Sequence, residues 1–292
     1  MKLIDIWNSS EAPTISFELF PARTEKGAVK LRLVIDELAE LEPDFVSVTF
    51  GAGGSTRSGS RQLLDSLINN KGLEVLAYFA CYGLGPNEIS EVLDDYQALG
   101  IKNVLAVRGD KPNDNEFQSH PDSLPHASDL VAYVRPRYDF CLGVAGYPEG
   151  HIEAASQEID LMYLKKKINL GAEYIITNYF YDNRYFYDFV ERCRIADINV
   201  PIIPGIMPIY SLKMMNMLAE MCGATIADEV QQGIGALPDG DTSALVNFGI
   251  EFAFRQCAAL IDTGVPGLHI YTMDRSQSAI GLVKLLRDSN LI

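Results

Sequence analysis

The chain has 292 residues, of which 48% are hydrophobic, and it carries a formal net charge of -15 at pH 7. This is the composition of a globular protein with a large core, and the negative charge argues against a nucleic-acid-binding role. The first residues lack a signal-peptide pattern and no apolar run approaches a membrane span, so we expect a cytoplasmic protein that does not enter membranes. The five cysteines and four histidines show no Cys-x-x-Cys or His-x-x-x-His pattern, which argues against disulfides and a metal site.

Short β-favouring runs alternate with helical stretches along the whole chain. We predict strands at Ile15–Phe20, Asp44–Phe50, Glu74–Ala80, Asn103–Val107, Asp139–Gly146, Tyr174–Tyr179, Val200–Ile206 and Gly267–Tyr271. We predict helices at Lys26–Leu41, Gln62–Asn70, Pro86–Leu99, Ala127–Arg135, Ala155–Leu170, Asn183–Ala196, Tyr210–Met221, Thr242–Thr263 and Ser276–Asp288. The buried face of the first helix is predicted to comprise Val29, Leu33, Val34, Leu38 and Leu41. The polar segment Lys111–Pro125 is predicted to be a mobile loop.

These eight strand–helix units are spaced by roughly thirty residues, as βαβ units require, and no linker divides them. The strands are apolar throughout, which is typical of buried parallel strands. We therefore predict one α/β domain over residues 1–292, a single (β/α)8 TIM barrel with parallel strands. A doubly wound open sheet is the alternative. The chain ends soon after the eighth unit, so we expect no C-terminal regulatory domain.

Ligands of such barrels bind at the C-terminal ends of the strands, so the residues at those ends test for a site. Polar, titratable or aromatic residues occur at nearly every predicted end: Glu18, Thr49, Tyr78, Arg108, Gly109, Asp110, Tyr147, His151, Asn178, Pro208, Tyr271 and Arg275. A barrel with only a structural role would not need them. The pattern therefore favours an enzyme.

Glu18 is a single carboxylate inside the apolar run of the first strand. Burying it is costly unless it is paired or neutralised, and burial raises a carboxyl pKa, which suits a general acid. We predict that Glu18 lies inside the molecule and faces a ligand. The alternative is an outer position with an ion pair to Arg23 or Lys26.

Two further patterns could hold an anion. The glycine-rich turn at Gly51–Gly54 could cradle a phosphate or be only a tight turn, and it lacks the Gly-x-Gly-x-x-Gly fingerprint. Lys165–Lys167 could hold a pyrophosphate near the barrel mouth or be a solvated helix face. Asp160 could serve only to pair with these lysines.

Seven segments together carry a resemblance to a known family: Phe17–Thr24, Phe45–Thr49 with Gly51–Arg57, Arg108–Pro112, Ala127–Leu130, Tyr147–His151, Ile203–Pro208 and Tyr271–Arg275. In this order and spacing, they resemble the methylenetetrahydrofolate reductases. The match extends from Ile15 to the last helix. The individual motifs are weak, but their combination is specific.

The resemblance implies a flavin-containing barrel that reduces 5,10-methylenetetrahydrofolate to 5-methyltetrahydrofolate, with FAD as cofactor and NADH or NADPH as hydride donor. Glu18 matches the acid that protonates the departing folate nitrogen, and Asp110 matches a second catalytic residue near flavin and pterin. Residues at matching cofactor positions are Thr49, Tyr78, Arg108, Gly109, Asp110, His126, Ala127, Tyr147, His151, Asp160, Tyr163, Lys166 and Lys167. Those on the substrate side are Glu18, Asp110, Asn178, Leu212, Tyr271 and Arg275.

Five of these positions depart from the family pattern. Tyr78, Tyr163 and His126 replace a His, an Asn and a Tyr at flavin-contacting positions, while Asn178 and Leu212 replace a Gln and a stacking Phe. The changes predict weaker or altered nicotinamide and folate binding. They also leave two alternatives open: a flavin-independent reductase of the same family, or a folate- or flavin-binding subunit that needs a redox partner. The sequence does not decide between a homo-oligomer and a complex with a partner subunit.

Overall fold

The structure is a computed structural model that describes residues 1–50, 54–111 and 117–292, with side chains described outside 54–57. The predicted glycine-rich turn at 51–54 therefore lies almost wholly outside the described residues, as does part of the polar segment after Asp110. The strands of the described chain are β1 (Thr14–Leu19), β2 (Phe45–Val48), β3 (Val75–Ala80), β4 (Asn103–Val107), β5 (Cys141–Gly146), β6 (Tyr174–Tyr179), β7 (Ile202–Ile206) and β8 (Gly267–Tyr271).

The helices lie outside these strands, apart from the first. In chain order they are α1 (Leu3–Ser9), α2 (Glu25–Ala39), α3 (Gly54–Asn69), α4 (Pro86–Ala98), α5 (Ala127–Val134), α6 (Gln157–Asn169), α7 (Asn183–Ile195), α8 (Leu212–Cys222), α9 (Asp228–Gly235), α10 (Thr242–Ile261) and α11 (Ser276–Asp288).

The strands form a closed barrel in the order β1 to β8, and all neighbouring strands are parallel. Closure is made by β1 against β8, where Glu18 is in register with Tyr271. This confirms the predicted (β/α)8 barrel and excludes the open sheet. Because side chains alternate along a strand, Ser16 and Glu18 point into the barrel while Phe17 and Leu19 join the shell between strands and helices.

The predicted buried face of α2 is partly wrong. Val29 and Leu33 are 54% and 60% exposed, although Val34 and Leu38 are buried as predicted. The segment has more apolar residues than one helical stripe can hold. The stripe that faces the barrel consists of Leu31, Val34, Ile35 and Leu38, which are spaced at i, i+3, i+4 and i+7. The stripe that contains Val29 and Leu33 is left in solvent.

Helix α1 was not predicted from the sequence, and it closes the N-terminal end of the barrel. Leu3 and Trp7 are buried in the interior of the barrel, where Trp7 packs edge-on against Tyr174 at a ring-centroid distance of 5.0 Å. The indole N–H of Trp7 donates to the Thr14 hydroxyl over 3.0 Å. Its seven residues are too few to give a clear helical period. With this end filled by side chains, ligands meet the barrel at its C-terminal end.

Within the described residues, helix α10 is the one helix with the length and hydropathy of a membrane span. Its 20 residues have a mean hydropathy of 1.3, so by length and composition alone the helix could cross a membrane. In the fold, however, Ala253, Cys257 and Leu260 are buried in the shell around the barrel. A core helix that packs in this way passes the same test of length and hydropathy.

Candidate active site

A pocket of about 540 Å³ opens at the C-terminal end of the barrel and collects most of the predicted strand-end residues. Glu18 from β1, Tyr78 from β3 and Asp110 from the segment after β4 line it. The other predicted residues in its lining are Arg108, Gly109, Tyr147, His151, Asn178 and Tyr271. Thr49 and Arg275 are not in the lining, and Arg275 instead lies over the Tyr210 ring at 5.9 Å.

Glu18 lies inside the barrel and is 5% exposed. Burial raises the pKa of its carboxyl to about 8, a hydrogen bond from Tyr78 opposes the rise, and the charge of Asp274 adds to it. The carboxyl group therefore keeps its proton at neutral pH. A neutral acid beside an open pocket can donate a proton to a bound ligand.

The segment after β8 holds the end of β1 in place. The Thr272 hydroxyl donates to the Glu18 carbonyl over 2.6 Å, and the Phe20 N–H donates to the Asp274 carboxylate over 3.0 Å. Asp274 and Met273 have φ values of 52° and 50°, in the left-handed region. These contacts fix the backbone of Glu18, so its side chain enters the pocket from a rigid position.

His269 lies close to the candidate site, and the sequence analysis missed it. It is fully buried one layer below Glu18, and burial lowers the pKa of its imidazole to about 3. Its ring nitrogens contact the hydroxyls of Ser16, Ser47 and Tyr78 at 2.8, 3.2 and 3.4 Å. The spacing could have revealed it, since a residue two positions before Tyr271 shares its inward face.

Tyr271 reaches across β7 to β6. Its hydroxyl donates to the Thr177 carbonyl over 2.8 Å, and a Cβ on Gly205 would lie 2.5 Å from its ring and 2.2 Å from the Thr177 oxygen. Only glycine allows this approach. The register between β6 and β7 shifts at the same place, between Ile176 and Tyr179. The end of β6 is thereby free to turn Asn178 towards the pocket.

The pocket wall formed by α8 is aliphatic rather than aromatic. Met217, Leu218 and Met221 line it, and Met217 and Met221 are 48% and 60% exposed. Leu212, which matches the family's stacking Phe, is the first residue of α8 and lines a separate groove of about 200 Å³ with Ile234. Methionine side chains adapt to flat ligands, and the sequence analysis did not foresee this wall of the pocket.

A second pocket, of about 330 Å³, adjoins the first and shares with it part of β4 and the end of β5. Arg108, Tyr147 and His151 line both. The further predicted residues that line only the second pocket are His126, Ala127, Asp160, Tyr163 and Lys167. Apart from Thr49 and Lys166, the predicted cofactor residues thus line one or both of two adjoining pockets.

The three adjacent lysines of α6 point in different directions, because successive residues of a helix are rotated by about 100°. Lys167 turns into the second pocket, where its amine donates to the Ala145 carbonyl over 2.9 Å. Lys165 pairs with Asp197 at 3.4 Å, and Lys166 lies 3.9 Å from Asp129. Of the three, Lys167 alone lines the second pocket, and Lys166, a predicted cofactor residue, lies outside its lining.

Lys167 and Asp160 form a partly buried pair at the base of the second pocket. Burial lowers the pKa of the Lys167 amine to about 8, and the nearby Asp160 opposes this shift. Burial raises the pKa of Asp160, and its carboxylate accepts from the His151 N–H at 3.3 Å. Of the two basic side chains that line this pocket, Arg108 and Lys167, Lys167 is the one that lies beside Asp160, and its amine is a suitable group for an anionic ligand.

Polar and aromatic groups complete the second pocket. Arg108 donates to the Glu153 carboxylate at the rim, a contact that the sequence analysis did not foresee. The His126 and Tyr163 rings are parallel within 7°, with centroids 6.5 Å apart. Tyr147 and His151 meet edge to face at 4.6 Å. These rings offer flat surfaces to an extended aromatic ligand.

Comparisons with known proteins agree with this arrangement. The family model for methylenetetrahydrofolate reductase matches residues 2–287. The chain is 35% identical over 273 residues to the Escherichia coli 5,10-methylenetetrahydrofolate reductase, covering 93% of this chain and 90% of that protein. It is 38% identical over 280 residues to the Arabidopsis thaliana methylenetetrahydrofolate reductase (NADH) 1, covering 92% of this chain. It spans only 47% of that plant relative, about half its length.

Among solved structures, an uncharacterized protein from Clostridium thermocellum that binds two copies of 5-methyl-5,6,7,8-tetrahydrofolic acid has a TM-score of 0.62. The alignment covers 98% of both chains at 17% sequence identity, so this likeness concerns the fold. The family model and the identity to the bacterial enzyme extend over nearly the whole barrel. The chain therefore belongs to the methylenetetrahydrofolate reductase family.

Proposed function

We propose that this chain reduces 5,10-methylenetetrahydrofolate to 5-methyltetrahydrofolate in the cytoplasm, with NADH or NADPH as reductant and FAD as cofactor. The observation that carries the proposal is the buried, neutral Glu18 at the wall of the central pocket. Reduction of this folate requires one ring nitrogen to leave the bridging carbon, and a departing amine needs a proton. Glu18 holds a proton at the place where the folate would lie.

The residues around both pockets have specific tasks in this reaction. Glu18 protonates the departing folate nitrogen, and Asp110, which lines the same pocket, accepts hydrogen bonds from the pterin. Asn178 and Tyr271 orient the folate ring, and the methionines of α8 cover its face and exclude water. Excluding water strengthens each polar contact at the reacting atoms.

The second pocket fits the chemistry of FAD. The Lys167 amine suits the pyrophosphate, and the parallel rings of His126 and Tyr163 suit a flat base. Arg108, Tyr147 and His151 line both pockets and would contact the cofactor where it passes between them. When bound, FAD would accept a hydride from the nicotinamide and deliver it to the folate.

The visible spectrum of the purified protein tests the proposal. We expect a flavin absorption band that bleaches with anaerobic NADH or NADPH and returns when methylenetetrahydrofolate is added. A colourless protein that takes up no FAD but oxidises NADH with folate would identify a flavin-independent reductase. A protein that binds folate or FAD without turnover would be a binding subunit that needs a redox partner.

The pH dependence of the folate step follows from Glu18. Its raised pKa, about 8, keeps the carboxyl protonated below that pH, so folate reduction should be fastest there and fall as the pH rises through about 8. Stopped-flow measurement of the oxidative half-reaction at saturating FAD would show this decrease in the rate of folate reduction. Reduction of the flavin by NADH needs no proton from Glu18, so its rate should not show this decrease with rising pH. A folate step that is constant from pH 6 to 10 would contradict the assignment.

A further inference from the structure

The loop between β5 and α6 is joined to the end of α8, the helix that forms the methionine wall of the central pocket. The Glu149 carboxylate accepts the Thr225 N–H through both of its oxygens, at 3.0 and 3.1 Å. Thr225 lies three residues after Cys222, the last residue of α8. This contact, the Glu149–Thr225 clasp, joins positions that are 76 residues apart in the chain. It therefore links two separate strand–helix units of the barrel.

A tight turn carries Glu149. The Gly150 N–H donates to the Tyr147 carbonyl over 2.9 Å, which closes a four-residue turn with Pro148 at its second position. Proline fixes φ near the value that this position needs. Gly150 ends the turn with a φ of 89°, in the region that favours glycine. Glu149 thus projects from a backbone with little conformational freedom.

A second contact joins the same two segments. Gly223 ends α8 with a φ of 70°, and the Ala224 N–H donates back to the Ala219 carbonyl over 3.0 Å. A Cβ on Gly223 would lie 2.5 Å from Cγ2 of Ile152, so glycine allows Ile152 to approach the end of the helix. The loop after β5 therefore meets the end of α8 twice, once through a carboxylate and once through an apolar side chain.

The loop has further hydrogen bonds of its own, whereas the end of α8 depends on the clasp. Arg192 on α7 donates to the Pro148 carbonyl over 3.0 Å, and Gln157 on α6 donates to the Glu149 carbonyl over 3.1 Å. In the described part of the chain, Glu149 is the only side chain from outside α8 and α9 that hydrogen-bonds to the backbone of residues 223–227. Loss of its carboxylate should therefore free the end of α8 and leave the loop in place.

We infer that Glu149 is a positioning residue that holds the α8 wall at its working distance from the ligand in the central pocket. Tyr147 and His151, which line both pockets, belong to the same loop. The clasp therefore holds the cofactor surface and the wall over the folate as one body. A wall that is already held in place need not be ordered when the ligand binds, and this strengthens binding.

Glu149 acts through α8 rather than on the ligand, because it is not among the residues that line either pocket in the described chain. The identity of the ligand, and so the role of the wall, rests on the proposed function. The clasp itself can be tested without turnover.

Hydrogen exchange, followed by mass spectrometry, tests the clasp in the resting protein. In Glu149→Ala the Thr225 amide loses its acceptor, so the peptide that contains it should exchange about tenfold faster than in the wild type. Glu149→Gln keeps an amide oxygen that can accept this N–H, so it should restore most of the protection. Glu220→Ala is the matched control, because it removes an exposed carboxylate from α8 itself and should leave the exchange unchanged.

The affinity for 5-methyltetrahydrofolate, measured by calorimetry on the purified protein, tests the consequence for binding. Glu149→Ala should weaken this affinity about tenfold, the effect of about 1.4 kcal/mol. The KM for methylenetetrahydrofolate should rise by a similar factor, while kcat changes less than about twofold. The affinity for FAD should equal that of the wild type, because the loop keeps its other hydrogen bonds. Glu149→Gln and Glu220→Ala should bind the folate like the wild type.

An unchanged exchange rate in Glu149→Ala would overturn the inference, as would faster exchange with an unaltered affinity for the folate. Equal losses of folate and FAD affinity would show that Glu149 holds the whole loop rather than the wall, and would also overturn it. A wild-type protein that binds the folate without reducing it would overturn the proposed function alone, because exchange and affinity would still decide the role of Glu149.

Discussion

Glu18→Gln should lower the rate of folate reduction by roughly 100- to 10,000-fold, the range that a general acid contributes. Glutamine has the same shape and can hydrogen-bond to Tyr78, but it has no proton to give to the leaving nitrogen. Reduction of bound flavin by NADH should remain within a few-fold of wild type. Anaerobic stopped-flow absorbance separates the two half-reactions in one preparation.

The stability of this variant provides a control with a definite sign. The pKa of Glu18 rises from 4.5 to about 8 on folding, so the folded state holds a proton that the unfolded chain releases. This group therefore makes the wild type lose stability as the pH rises from about 4.5 to about 8. Glu18→Gln lacks this loss, so its thermal midpoint relative to wild type should increase over that range. If the variant is folded and both half-reactions fall equally, Glu18 is not the specific acid.

Lys167→Met should weaken FAD binding by about 10- to 100-fold, the effect of losing one charge-assisted hydrogen bond. Methionine keeps most of the apolar length of the side chain but removes the amine that enters the second pocket. The measurement is titration of FAD into the apoprotein, followed by flavin fluorescence or calorimetry, and it needs no turnover.

Lys165→Met is the matched control, since Lys165 lies two residues away on α6 and pairs with Asp197 at the surface. Its FAD affinity should equal that of wild type. Equal affinities for both variants and wild type would mean that Lys167 does not contact the cofactor. Because the pKa of Lys167 is about 8, FAD affinity in the wild type should also fall as the pH rises past 8, and Lys167→Met should lack this fall.

The barrel could be predicted from sequence because the strands are short apolar runs, and polar, titratable or aromatic residues lie at nearly every strand end. Glu18 was recognisable for the same reason, as the single charge inside such a run. The face of α2 was harder, because Val29 and Leu33 compete with Leu31 for the buried stripe and the sequence does not show which side the barrel occupies. The local pattern of apolar residues determines that a helix forms, but which face of the helix is buried depends on strands that are distant in the sequence.

The residues that were missed act through contacts between distant parts of the chain. His269 meets Ser16 and Ser47 across about 220 to 250 positions, and no motif joins them. The divergence of Lys165 and Lys167 depends on which side of α6 faces the barrel. Leu212 matched the family's stacking position, yet the structure places Met217 and Met221 at the pocket instead.

The helix that closes the barrel also carries the chain's one tryptophan. Trp7 is 9% exposed and packs against Tyr174 and Phe45 at the end opposite the pocket. Intrinsic fluorescence excited at the red edge therefore comes from one place in the molecule. A bound flavin would quench it by energy transfer along the barrel axis, and release of α1 would shift its emission to the red. The fluorescence of Trp7 would thus report both the binding of FAD and the displacement of α1 from the N-terminal end of the barrel.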